Sequence, residues 1–300
     1  MSAQDPSLRE TNWPEVASYV SSHKDTYSFI DSAKADLTGK SVLITGASKG
    51  IGKATAISFA IAGCSKILLV ARSGMVDVET AVKDAAKKAN RSQPVVHSMK
   101  VDITSEDSVQ AASETAVDIL DGSLDILINN AGYVEEWIPI AESNPTEWWR
   151  SWEVNIKGIY LATRYFLPLL LKSLLRTVIN ISSVGAHVMD IGASGYQANK
   201  FALCRLTEFL DKEYYQQGLI AIVIHPGAVK TELAVRMPPE MHYVLTDTPE
   251  LPADTMVWLS RERRDWLSGR FVSVNWDMEE LEQKRKEILQ GNLLKFRLLI

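Results

Sequence analysis

Ser41-Val42-Leu43-Ile44-Thr45-Gly46-Ala47-Ser48-Lys49-Gly50-Ile51-Gly52 is the stretch that decides the fold of this chain. The apolar run Ser41–Thr45 reads as a buried strand, and a helical pattern over Gly52–Ala62 follows it with only the glycine loop between. Glycines at such a turn let the backbone bend tightly and approach a pyrophosphate, whose charge is met by the amides at the start of the next helix. Gly46, Ser48, Lys49, Gly50, Ile51 and Gly52 are therefore candidate cofactor contacts. The spacing, Gly-x3-Gly-x-Gly, differs from the Gly-x-Gly-x2-Gly of the common dinucleotide fingerprint, and a plain glycine-rich turn also satisfies it.

Downstream, short β-rich runs alternate with longer helical segments. Strands are predicted at Ser41–Thr45, Ile67–Ala71, Val95–Lys100, Leu124–Ile128, Thr177–Ile181, Ile220–Ile224 and Phe271–Val274. Helices are predicted at Gly52–Ala62, Val76–Ala89, Ser105–Leu120, Pro145–Leu171 and Gly195–Gln216. This alternation implies a mainly parallel, helix-flanked sheet joined by right-handed crossovers. No internal repeat or linker interrupts it, so one catalytic domain is expected over 39–277, with a polar extension at 1–38 and a C-terminal helix and tail at 278–300. The extension is expected to pack across the domain, partly through Trp13 and Tyr27.

The second strand ends in Leu69-Val70-Ala71-Arg72, where an NAD-preferring site offers a carboxylate to the adenosine ribose. Arg72 instead can grip a 2′-phosphate with its planar fork, and Lys49 can add a second cation, so NADP(H) is favoured over NAD(H). Both also read as ordinary solvated charges. Asp102, closing the third strand, can face an adenine edge or cap the helix that Thr104-Ser105-Glu106 begins. Asn129-Asn130-Ala131-Gly132 closes the fourth; Asn129, Ala131 and Gly132 are candidate contacts to the ribose.

Tyr196 and Lys200 stand four residues apart, hence on one helix face, where an ammonium favours the phenolate of a tyrosine whose ordinary pKa is near 10. Such a pair arises readily by chance. Its context is Asn180-Ile181-Ser182-Ser183, whose last hydroxyl can polarise a substrate carbonyl or serve as a turn residue.

Taken in order, Thr45–Gly52, Asp102, Asn129–Gly132, Asn155, Ser183, Tyr196/Lys200 and Pro226-Gly227 resemble the short-chain dehydrogenase/reductase family over about residues 38–275. The resemblance implies a Rossmann-type doubly wound α/β sheet in a single domain. It also implies a catalytic tetrad: Tyr196 as proton donor and acceptor, Ser183 on the substrate oxygen, Lys200 also on the nicotinamide ribose, and Asn155 holding a relay water. Pro226, Gly227, Val229 and Thr231 would lie beside the nicotinamide, residues 231–251 would form a substrate lid, and the chain would form a homodimer or homotetramer. His225, before the Pro-Gly pair, reads as a structural histidine. The N-terminal extension and Ser268–Asp277 further resemble filamentous-fungal members associated with secondary metabolism, which suggests a small apolar or aromatic ketone or alcohol as substrate.

A formal charge of −5 argues against a broad footprint for nucleic acid or an anionic membrane. Cys64 and Cys204 have no metal-ligand spacing, so no metal is expected. No apolar targeting segment or spanning run is seen, and a cytoplasmic location is the default. Two rival readings stay open: a non-redox protein on the same scaffold, sensing dinucleotide or running lyase or cyclase chemistry, and an NAD-linked dehydrogenase.

Overall fold

The computed structural model describes residues 19–298. Seven strands form one sheet in the order β3-β2-β1-β4-β5-β6-β7, every neighbouring pair parallel. They are β1 Ser41–Thr45, β2 Lys66–Ala71, β3 Val95–Lys100, β4 Ile126–Asn129, β5 Thr177–Ile181, β6 Ile220–His225 and β7 Arg270–Ser273. All seven expected strands are present and "mainly parallel" becomes wholly parallel. The strands of such a sheet are covered on both faces, which is why β1, β4 and β5 are buried along their whole length. Helices α1 Gly50–Ile61, α2 Val76–Lys88, α3 Glu106–Ile119, α4 Pro145–Trp152, α5 Ile159–Leu170, α6 Ser194–Tyr214 and α7 Glu250–Ser260 flank it.

Two apolar cores result, one on each face. Ile44, Phe59, Leu69, Val82, Ile179 and Trp258 belong to the first, and Leu43, Leu68, Val109, Leu127, Phe166 and Val178 to the second. Strand order reverses between β1 and β4, with Val42 opposite Ile126 and Ile44 opposite Ile128. The connections from these two strands leave toward opposite faces, and the crevice so opened at their carboxyl ends is where an open α/β sheet takes a ligand.

One expectation is corrected. The helix predicted over Pro145–Leu171 is interrupted by a π turn at Glu153–Gly158. Hydrophobic periodicity does not reveal one extra residue per turn, whereas packing does: a Cβ on Gly158 would stand 2.7 Å from Ile103. The C-terminal segment likewise holds two short helices, α8 Met278–Gln283 and α9 Arg285–Gln290, rather than one.

Residues 19–32 lie largely against the C-terminal part of the domain, and Ala33–Leu37 against the ends of α1 and α2, where Arg91 Nη2 donates to Ala33 O and Ala35 O and Leu37 N to Ala62 O; Trp13 falls outside the described residues. Ser22 pairs with Trp276 in an antiparallel bridge, His23 Nε2 meets Asp277 Oδ2 at 2.7 Å, and the Met278 amide donates to Tyr27 Oη at 2.6 Å. Asp254, buried on α7, gathers three hydroxyls: Thr26 Oγ1 at 2.5 Å, Ser58 Oγ of α1 at 2.7 Å, and Ser32 Oγ. Removing an acceptor that buried donors share leaves those donors unsatisfied. Asp254→Ala is expected to lower unfolding free energy by about 3 kcal/mol, read as a lowered urea midpoint with unchanged slope. An unmoved midpoint would show that the extension is held by its other contacts.

Candidate active site

The glycine loop is built around β4. Gly46 has φ +66°, and a Cβ there would stand 2.8 Å from Ala131 Cα; one on Gly52 would stand 2.4 Å from Gly46 O and 2.6 Å from Asn130 Nδ2. Asn130 Nδ2 donates to Thr45 O at 2.9 Å and Gly46 O at 3.2 Å, while Thr45 Oγ1 accepts from the amides of Asn130 and Ala131, each at 3.0 Å. Asn130 is thus the clasp between loop and β4 turn, a function sequence reading did not assign to it. Helix α1 has no side-chain cap at Lys49, so its first-turn amides keep their donors beside the half-buried Ser48 and Ile51.

Asn129 corrects an expectation. Its side chain is fully buried, with Nδ2 donating at 2.9 Å to both Thr163 Oγ1 and Asn180 Oδ1, so it fastens β4 to β5 and α5 instead of lining the crevice. Neighbouring side chains in a strand point to opposite faces, which is why two adjacent asparagines do different work.

Arg72 is exposed at the end of β2. Asp102 accepts from Thr104 N at 2.9 Å and Thr104 Oγ1 at 2.8 Å, closing a turn, while Ser105 caps the following helix. Burial pushes the Asp102 carboxyl up, but the Thr104 donors and the charges of Arg72 and Arg150 outweigh it and hold it below the usual carboxylate range. Lys49 forms an ion pair with Glu232, at the start of the segment 231–251.

The Pro226-Gly227 turn, with Gly227 at φ +79°, is tied to Asp247: Ala228 N donates to Asp247 Oδ2 at 2.6 Å, and Val229 bridges Asp247. Thr231 Oγ1 accepts from Ala234 N at 3.1 Å, and its methyl would lie 3.2 Å from a Cβ on Gly50. The segment leaves Thr231 beside Gly50 and returns at Asp247 to the turn after β6, through 3-10 turns at Ala234–Arg236 and Pro239–Val244.

At the carboxyl end of β5, Ser183 Oγ accepts from Gly185 N at 3.0 Å and hydrogen-bonds the Tyr196 phenol. Lys200 Nζ is buried beneath, donating to Ile181 O at 2.8 Å and lying 5.6 Å from the Tyr196 ring centroid. Burial pushes the Lys200 ammonium down to about 8. The expectation that lysine draws the tyrosine down is not met: burial pushes the Tyr196 phenol up to about 12, Ser183 opposing and the Glu135 carboxylate adding to the rise.

Asn155 sits in the π turn, buried. Its Oδ1 accepts from Tyr133 N at 2.9 Å, and its Nδ2 donates to Tyr133 O at 2.7 Å. A Cβ on Gly132 would stand 3.4 Å from that Oδ1, so the β4 turn and the π turn are packed edge to edge. The Tyr133 ring lies under Arg236 of the segment 231–251 and Arg150 of α4, at 4.9 and 5.4 Å, and its hydroxyl donates to Glu147. His225 Nδ1 accepts from Val184 N at 3.1 Å, and burial and then His187 push it down to about 3. Glu135, which sequence reading passed over, accepts from Tyr196 N at 2.6 Å.

A crevice at a strand reversal, a glycine cradle, and a serine, tyrosine and lysine converging beside it have counterparts among known proteins. A family model described as short chain dehydrogenase matches residues 40–241. The short chain dehydrogenase citE of Monascus ruber is 51% identical over 278 residues, covering 93% of this chain and 95% of that one. Among solved structures, 3-ketoacyl-(acyl-carrier-protein) reductase from Brucella melitensis complexed with NADH is 26% identical, with TM-score 0.67 over 80% of this chain and 98% of that one. A short chain dehydrogenase from Shigella flexneri 2a complexed with NADP is also 26% identical, with TM-score 0.68 over 80% and 99%. With motif, fold and relatives in agreement across most of its length, this chain belongs to the short chain dehydrogenase family and is an oxidoreductase using a nicotinamide dinucleotide.

Proposed function

We propose that the protein is an NADP(H)-dependent reductase that converts a ketone or aldehyde on a small apolar or aromatic molecule to the alcohol, in fungal secondary metabolism. The observation that carries this reading is the convergence of Ser183, Tyr196 and Lys200 at the end of β5, beside the crevice. The cradle fits a dinucleotide: Gly46 and Gly52 leave no room for a side chain, and the uncapped start of α1 offers amides to a pyrophosphate. When bound, the cofactor supplies the hydride.

The protein's part is the proton. Tyr196, held in its neutral form by burial, is the acid that protonates the substrate oxygen, and Ser183 hydrogen-bonds the same oxygen. Lys200 places a positive charge beside the Tyr196 ring and would hold the nicotinamide ribose. Asn155 has both ends of its side chain engaged with Tyr133, so a relay water falls to its main chain in the π turn. Asp102, Ala131, Gly132, Pro226, Gly227, Val229 and Thr231 complete the cofactor wall. Tyr160, Phe201 and Phe209, exposed on α5 and α6, support a homodimer or homotetramer, which sedimentation would detect. The location is taken as cytoplasmic; no helix among the described residues is long and apolar enough to cross a membrane.

The choice of NADP(H) rests on Arg72, exposed where a carboxylate would repel the 2′-phosphate. Arg72→Ala is expected to cut the ratio of NADPH to NADH affinity by about tenfold to a hundredfold, measured by fluorescence titration. An unchanged ratio would favour the NAD-linked reading, to which the Lys49–Glu232 pair lends support, because it engages the second cation. The reaction class is tested by following NADPH oxidation over a panel of aromatic ketones, quinones and diketones. Tight cofactor binding with no turnover on any of them would favour the non-redox reading.

A further inference from the structure

We propose that Glu135, on the loop after β4, is a positioning residue for the reaction: its buried carboxylate fixes the main chain at Tyr196. The inference rests on Tyr196 being the proton donor of the proposed reduction. Helix α6 begins without a side-chain cap at Ala193, so its first-turn amides need partners from elsewhere. Glu135 Oε1 supplies one, accepting from Tyr196 N at 2.6 Å. The approach leaves no slack, since a Cβ on Gly195 would stand 2.5 Å from Glu135 Oε1 and 3.1 Å from Trp148. One residue further on, Gln197 Oε1 accepts from Asp190 N at 2.8 Å and Gln197 Nε2 donates to Asp190 Oδ2 at 2.7 Å. Tyr196 is thereby held between two side-chain contacts, one on either flank.

Glu135 is 4% exposed, and its Oε2 is buried with no hydrogen-bond partner. A carboxylate engaged on one oxygen alone acts strongly on its surroundings, because neither water nor a second donor disperses its charge. That charge adds to the rise of the Tyr196 phenol. The groups around Tyr196 are Lys200 of its own helix beside the ring, Glu135 from the β4 loop at the main-chain amide and Ser183 from the end of β5, with His225 behind Val184. The other carboxylates on neighbouring elements, Glu147 and Asp190, bond to Tyr133 and Gln197. Ser183 favours the phenolate; burial and the Glu135 carboxylate oppose it. Keeping the phenol protonated suits an acid in carbonyl reduction and disfavours the base needed for alcohol oxidation, so Glu135 biases the site toward reduction.

The test reads the phenol directly. Protein carrying carbon-13 at the tyrosine ring Cζ is titrated by NMR, with Tyr196→Phe assigning the resonance. Glu135→Gln retains an oxygen to accept from Tyr196 N and removes the charge; it should titrate Tyr196 lower than wild type by about one pH unit. The pH profile of alcohol oxidation should move toward acid with it, with KM little changed. If Glu135→Gln does not fold, Glu135→Asp and Glu135→Asn differ from each other in charge alone, and the same displacement is expected between them. Coincident titration within either pair overturns the inference. Because no turnover enters the NMR reading, failure to find a substrate would count against the proposed reduction and leave Glu135 to be judged by the titration.

Discussion

Tyr196→Phe is expected to lower kcat by at least about a thousandfold while leaving cofactor affinity within about twofold. The phenol oxygen is the group Ser183 approaches and the one the neutral-acid reading requires; the ring, which shields Lys200, is retained. Removing the oxygen deletes a proton transfer made in the transition state, so kcat and kcat/KM should fall together. Stopped-flow mixing with NADPH separates binding from turnover. Turnover within tenfold of wild type would move the proton donor elsewhere and dismantle the proposed mechanism.

Lys200→Met is expected to show a trade of stability against function. Its ammonium is buried, has Ile181 O at 2.8 Å, and is pushed down to about 8 from an ordinary 10.5. Below pH 8 both folded and unfolded chains carry the proton, and the folded state bears the full penalty of the buried cation. Between about pH 8 and 10.5 the folded chain has released a proton that the unfolded chain still binds, so stability contributed by this group rises with pH across that window. The shift corresponds to about 3 kcal/mol. Losing the bond to Ile181 O gives back about 1 kcal/mol. Lys200→Met should therefore be more stable than wild type at pH 7 by about 2 kcal/mol and show no gain at pH 10, while losing about a hundredfold or more in kcat. Urea midpoints at the two pH values decide it. A variant less stable than wild type at pH 7 would mean that Lys200 is stabilised in place by contacts that outweigh its desolvation.

The contrast between Ser183 and Glu135 shows how far the candidate site was legible. Ser183 sits at the end of a recognisable strand, thirteen residues before a Tyr-x3-Lys pair, so its place followed from spacing along the chain. Glu135 lies in a segment without regular periodicity and touches Tyr196 across 61 positions of sequence. No local pattern announces such a contact, because it depends on how the loop after β4 packs on the start of α6. Asn130 and Asn129 make the same point within one strand end: adjacent and chemically identical, one clasps the glycine loop and the other is sealed inside the sheet.

Periodicity, glycine placement and motif order were properties of the chain read along its length, and they carried the seven strands, the crevice and the Ser183, Tyr196 and Lys200 set. Each rests on local sterics or on which residues prefer burial, forces that act over a few neighbouring residues. The π turn at Glu153–Gly158, the engagement of Lys49 with Glu232 and the rise of the Tyr196 phenol emerged from packing between distant segments. Desolvation and charge opposition depend on what surrounds a group in space, and that neighbourhood exists only once the chain has closed on itself.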